Sequence, residues 1–288
     1  MSTPPFVALP DGVVVEHWTI RGSRRAVMHV GLERPGRWMV LVPGFTGSKE
    51  DFIAVLPLLA AEGVGALAFD QLGQYESDGS DTADDYGVDL LAEDLAEILA
   101  LATTRFGRRE RADLVGHSFG GLVAQRAVAG GLDVAGFVAL CTGPGALPGD
   151  RHGGLADLVA ALPHTDLEVI WALMRAQAEE AGGPVPSPDV QAFLRRRWLA
   201  NHPLQIREFG HHLMLQGPVT DGIRARVRDG LAVTVMWGEN DDAWPVEVQA
   251  QMARDWGARS VQLDGVGHSP NTERPELLVA ALLAADAR

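Results

Sequence analysis

Cysteine is almost missing from this chain: Cys141 stands alone among 288 residues. No internal disulfide can form, which excludes the small cross-linked secreted scaffolds and predicts a reducing, cytoplasmic setting. Long apolar runs are missing too. No stretch is long and apolar enough to span a bilayer, and the opening MSTPPFVALPDG lacks the basic start and apolar segment of a signal peptide. Positive charge is scarce, with 24 Lys and Arg against 38 Asp and Glu, a formal net charge of −14. Nucleic acids and anionic membranes reward basic patches, so neither is expected as a partner. The acid is concentrated between Asp70 and Glu97, where no Lys or Arg interrupts it and no histidine lies close by. That pattern reads as a solvated loop and an outer helix face, not as a metal site.

Apolar material is plentiful, at 47% of the residues, which is enough for a large core. Short β-branched or apolar runs (13–18, 25–30, 38–42, 65–69, 112–116, 134–140, 231–237 and 260–263) alternate with longer helical patterns. Such alternation predicts an α/β fold, with a mostly parallel central sheet covered by helices on both faces. RGSR at 21–24, between the first two runs, reads as a hairpin turn. The rhythm breaks from about Pro144 to Gly217, where only helical patterns occur between flanks rich in Gly and Pro. The expected organisation is therefore a core in two parts, 1–143 and 218–288, with a helical cap at 144–217 inserted late in the sheet.

One serine carries the strongest chemical signal. Gly116-His117-Ser118-Phe119-Gly120 matches G-x-S-x-G, and it sits between a predicted strand and a predicted helix. A sharp strand-to-helix turn strains the backbone at the serine and crowds its neighbours, so residues without a Cβ are needed on both sides. The motif alone is weak in a chain with 33 glycines. Its weight comes from two further segments, GVGHSPNTERPE at 265–276 and VMWGENDDAWP at 235–245.

Together these segments make the chain resemble an α/β-hydrolase over nearly its whole length outside the 144–217 insertion. The resemblance implies a nucleophile, acid and base in that chain order: Ser118, Asp241 and His268, with Asp242 as the alternative acid. It also implies an oxyanion hole formed by the backbone N–H groups of Phe45, in LVPGFTGS at 41–48, and of Phe119. Two departures stand out. Pro43 replaces the family's usual histidine, which puts the support of the Phe45 loop in question. FDQLGQYESDG at 69–79 keeps Asp70, Gly73 and Ser77 but has Leu72 and Tyr75 where relatives carry Arg and Gly. A buried pairing common in the family is therefore missing or rebuilt, and Asp70 is expected to be structural. His117 is expected to point into the scaffold, Cys141 to be a small buried hydrophobe, and Trp237 and Trp244 to serve packing.

These residues predict a serine hydrolase that cleaves an ester, lactone or thioester of a mostly apolar small molecule, with no cofactor and no metal. Trp171, Met174, Trp198, His212 and Met214 are the candidate pocket residues in the cap. Cleavage of a C–C bond, polyketide-type tailoring or cyclisation, and ligand binding without catalysis are the alternatives on the same scaffold.

Overall fold

Eight short runs form one sheet: β1 (Val14–Ile20), β2 (Ser23–Val30), β3 (Trp38–Val42), β4 (Gly65–Phe69), β5 (Asp113–His117), β6 (Gly136–Leu140), β7 (Ala232–Gly238) and β8 (Arg259–Leu263). The chain is described by a computed structural model over residues 1–149, 152–182 and 185–285. The strand order is β1-β2-β4-β3-β5-β6-β7-β8. β2 runs antiparallel to both β1 and β4, and every other pairing is parallel. Arg21 and Gly22, both at positive φ, make the two-residue turn between β1 and β2.

The helices are α1 (Val55–Ala61), α2 (Val88–Arg105), α3 (Phe119–Ala129), α4 (Gly153–Ala161), α5 (Leu167–Glu180), α6 (Pro188–Ala200), α7 (Pro203–Leu215), α8 (Thr220–Arg228), α9 (Val246–Trp256), α10 (Pro270–Glu273) and α11 (Pro275–Ala285). Strand periodicity divides the core. In β3, Trp38, Val40 and Val42 join the cluster under α2, α3 and α9. Met39 and Leu41 join the opposite cluster under α1 and α11. The inner strands β3 to β6 are buried at every residue, which is why they read as unbroken apolar runs rather than alternating ones.

Between β6 and β7 the described residues form no strand. Helices α4 to α8 occupy this stretch, and α4 to α7 carry an apolar cluster of their own, built on Ile170, Trp171, Val190, Phe193 and Trp198. Their attachment to the sheet domain is both apolar and ionic. Phe209 of α7 stacks on Phe119 with ring centroids 4.1 Å apart. Arg197 of α6, fully buried, reaches Asp51 at 2.6 Å.

Lys49, the only lysine in the chain, is also fully buried. Its ammonium lies 3.1 Å from Asp70, 2.8 Å from Glu50 and 2.6 Å from Glu76, and its backbone N–H donates to Asp70 Oδ1 at 2.7 Å. The pairing that Leu72 had left open is thus rebuilt from a different segment of the chain. Burial opposes the ammonium's charge, but the Asp70 and Glu50 carboxylates outweigh it and hold the group well above the ordinary lysine range. Removing one partner of a buried pair strands the other charge. Lys49→Met should therefore lower stability by about 3–5 kcal/mol, read as a fall in the urea unfolding midpoint.

Candidate active site

The parallel strands all end on one side of the sheet, and the loops that leave those ends converge there. β5 ends in a turn whose third residue is Ser118, at φ 55° and ψ −123°. This left-handed backbone is unusual for a residue with a Cβ and stands only where its surroundings enforce it. Two hydrogen bonds hold it: Ser118 N–H donates to Leu140 at 3.0 Å, and Ser118 C=O accepts from Gly121 N–H at 2.8 Å. A Cβ on Gly116 would stand 2.6 Å from the Gly120 carbonyl oxygen, and one on Gly120 would collide with the Pro43 carbonyl. The glycines let the turn lie flat against the Pro43 loop.

The loop after β7 supplies Asp241. Its side chain is fully buried and accepts from Ala243 N–H and from the Gln249 amide, each at 2.9 Å. The loop after β8 supplies His268. Its Nδ1 lies 2.9 Å from Asp241 Oδ1 and its Nε2 lies 3.0 Å from Ser118 Oγ. An ionised carboxylate can only accept, so Nδ1 carries the proton and Nε2 is left as the acceptor for the serine hydroxyl. Burial pushes the Asp241 carboxyl up. The hydrogen bond and charge of His268, with the Ala243 and Gln249 donors, outweigh this and keep it below the usual carboxylate range. Asp242 is exposed, and the ring bond goes to Asp241.

Beside the serine runs the loop after β3, so close that a Cβ on Gly44 would lie 3.1 Å from Ser118 Cβ. Its carbonyls are turned away onto glutamine amides. Gln71 donates to Pro43 at 3.0 Å, Gln74 to Gly44 at 2.7 Å, and Gln205 of α7 to Phe45 at 3.1 Å. In a trans peptide the N–H points opposite to the preceding C=O, so the Gly44–Gln74 bond directs Phe45 N–H away from Gln74. Support that Pro43 cannot give as a side chain is provided by these three glutamines.

A cavity of about 220 Å³ opens at Ser118 and His268, lined by Phe45, Leu147, Leu155, Leu213 and Trp244 among others, with no charged side chain. Met1 and Ser2 border it too, tied down where the Ser2 carbonyl accepts from Arg197 at 2.7 Å. A more open groove of about 960 Å³ lies elsewhere, between α2, α3 and residues 218–222, and contains none of Ser118, Asp241 and His268.

The expected cap residues are not in the cavity. Trp171 and Trp198 are core members of the cluster that α4 to α7 form among themselves, and Met174 packs against it. On α7, Leu213 faces inward, so His212 and Met214 are each turned about 100° away from it along the helix. His212 instead borders a groove shared with Asp84 and Arg126. Trp244, expected only to pack, is a wall of the cavity with its ring 6.1 Å from that of His268. Among the described residues no cluster of His, Cys, Asp or Glu is arranged to hold a metal ion, and no helix is long and apolar enough to cross a membrane.

A profile of the alpha/beta hydrolase family matches residues 39–281. The chain belongs to that family. Among solved structures, the enol-lactonase from Burkholderia xenovorans LB400 superposes with a TM-score of 0.75 at 16% identity, over 95% of this chain and all of that one. An esterase from Exiguobacterium antarcticum does so with a TM-score of 0.75 at 17% identity, over 94% of this chain and 98% of that one. The thioesterase domain from the curacin biosynthetic pathway gives 0.71 at 15% identity, over 95% and 100%. At these identities the likeness is one of fold. No curated protein matches the chain.

His117 is held in the scaffold. It is 1% exposed, and its Nε2–H donates to the carbonyl oxygen of His268 at 2.8 Å. Nδ1 then has no proton, and it finds no partner among the described residues. Burial and the neighbouring His268 push its pKa down to about 3, so the ring is neutral at ordinary pH. Below about pH 6.5 the unfolded chain takes up a proton here that the folded protein refuses. The stability held by this refusal is complete above that pH. It is lost by up to ~1.4 kcal/mol per unit as pH falls toward about 3. His117→Gln should lose less stability than the parent protein between about pH 6.5 and 4, measured by urea unfolding at each pH.

Proposed function

We propose that this protein is a serine hydrolase that cleaves the ester, lactone or thioester bond of a small, uncharged, mostly apolar acyl compound. The observation that carries the reading is the unbroken hydrogen-bonded chain Asp241–His268–Ser118, opening on a cavity with no charged side chain in its wall. Ser118 Oγ attacks the carbonyl carbon while its proton passes to His268 Nε2. Asp241 holds the imidazole in the tautomer that can take the proton and stabilises the imidazolium that forms. The tetrahedral oxygen receives the N–H groups of Phe45 and Phe119, the latter at the positive end of α3. His268 then returns its proton to the leaving group. A water, deprotonated by the same ring, attacks the acyl-enzyme, and its collapse releases the acid and restores Ser118.

The cavity bounds the substrate. About 220 Å³ lies below the usual range for drug-sized ligands, and leucines and an indole form most of its apolar wall. Short acyl groups or a small ring suit it better than a long chain.

A fluorophosphonate probe should label the parent protein once, at Ser118, and leave Ser118→Ala unlabelled, while turnover of p-nitrophenyl butyrate falls by at least ~10⁴-fold. An unlabelled parent protein, or undiminished turnover by Ser118→Ala, rejects the reading. Activity toward a 1,3-diketone but not toward esters would assign C–C cleavage instead.

A further inference from the structure

His268 is carried on the loop between the turn at Asp264 and Gly265 and the start of α10, yet the peptides on both sides of it are fixed. The Glu273 carboxylate, five residues on, receives two backbone donors with its two oxygens: Gly267 N–H to Oε2 at 2.6 Å and Ser269 N–H to Oε1 at 2.8 Å. The carboxylate lies close over Gly267, where an added Cβ would stand 3.1 Å from Oε1 and 3.2 Å from Oε2. A side chain at 267 would make the carboxylate give way by a few tenths of an ångström. From the opposite side His117 Nε2–H holds the His268 carbonyl at 2.8 Å. The amides before and after His268 and its own C=O are thereby fixed by two side chains. One of those, His117, is also the residue that precedes Ser118 in the elbow.

We propose that Glu273 and His117 are positioning residues, which clamp the His268 backbone so that its ring stays within proton-transfer reach of Ser118. The proposal rests on reading Ser118, His268 and Asp241 as the reacting set. The reason is geometric. The ring hangs from the 268 Cα by two rotatable bonds, so a shift of the backbone carries Nε2 away from Oγ. A misplacement of about 1 Å at a reacting group lowers rate by about 100-fold, while binding of the ground state is little affected. Charge on Glu273 strengthens the clamp, because a carboxylate is a better acceptor for two N–H donors than a neutral amide. Replacing it by Gln leaves a single acceptor oxygen for the same pair.

The experiment compares Glu273→Ala, Glu273→Gln, His117→Leu and His117→Gln with p-nitrophenyl butyrate as substrate. Glu239→Ala is the control, since Glu239 makes a similar exposed bond to the same loop, to Gly265 N–H at 2.8 Å, away from His268. Glu273→Ala and His117→Leu should lower kcat by about 10–100-fold with KM within about two-fold of the parent value. The Gln variants should recover part of this loss, His117→Gln because its amide keeps a donor near the position of Nε2. Glu239→Ala should leave kcat unchanged. In parallel, the downfield proton resonance of the His268–Asp241 hydrogen bond should broaden or vanish in Glu273→Ala. That signal needs no turnover, so it decides the clamp even if the parent protein resists the fluorophosphonate probe and the hydrolase reading falls. Should Glu273→Ala fail to fold, Glu273→Gln and the two His117 variants carry the same comparison. An unaltered kcat and resonance, a change confined to KM, or an equal loss in Glu239→Ala would each overturn the proposal.

Discussion

A left-handed backbone at Ser118 is the constraint on which the rest of the site depends. The residue carries a Cβ at φ 55°, a conformation that costs of order 1–3 kcal/mol and persists only where the surroundings over-determine it. The surroundings here are bonds from the strand next door and from the first turn of α3, together with glycines that let neighbouring backbone press in. The strain lifts the hydroxyl off the end of β5 and aims it across the sheet edge. Without that turn the side chain would continue the strand's alternation, and neither the Pro43 loop nor His268 could meet it.

Around that point the structure repeats one solution several times: a loop is held by giving its polar groups hydrogen-bond partners. The Gly44–Phe45 loop rests on glutamine amides, and Asp241 rests on Ala243 and Gln249. The His268 segment rests on Glu273 and His117, and the Lys49 segment on Asp70. Buried polar atoms require partners because an unpaired one loses its hydration without compensation. Each partner that satisfies this need also removes a degree of freedom from a loop at the site. Much of the packing around the site and the placement of Ser118, Asp241 and His268 are therefore the same set of contacts.

The inserted helices are bound to this framework instead of hovering over it. Phe209 stacks on Phe119, one residue after Ser118, and Gln205 bonds the Phe45 carbonyl. Arg197 joins three segments, since it pairs with Asp51 and donates to the carbonyl of Ser2. The aromatic residues of α5 and α6 are spent on the cluster that holds those helices together, and the walls beside Ser118 fall to leucines and Trp244.

Much of the architecture was legible in the chain because each signal there is local. Strands buried on both faces appear as short apolar runs, and the elbow appears as a serine between glycines at the end of one such run. A Gly-x-Gly-His segment before the last helix, and an Asp three residues after a Gly at a strand end, are likewise local patterns. What stayed hidden depends on pairs far apart in sequence or on rotation about a helix axis. Nothing near Lys49 names Asp70 as its partner, and nothing near Glu273 shows that its carboxylate folds back over Gly267. The composition of α7 did not reveal that Leu213, and not His212 or Met214, would face the cavity. The sequence by itself thus determined where the strands fall along the chain and which residue types stand at their ends, since those follow from neighbours along the chain. Only the tertiary structure decided which buried groups pair and which side chains wall the cavity, because those depend on distances through space that packing alone sets.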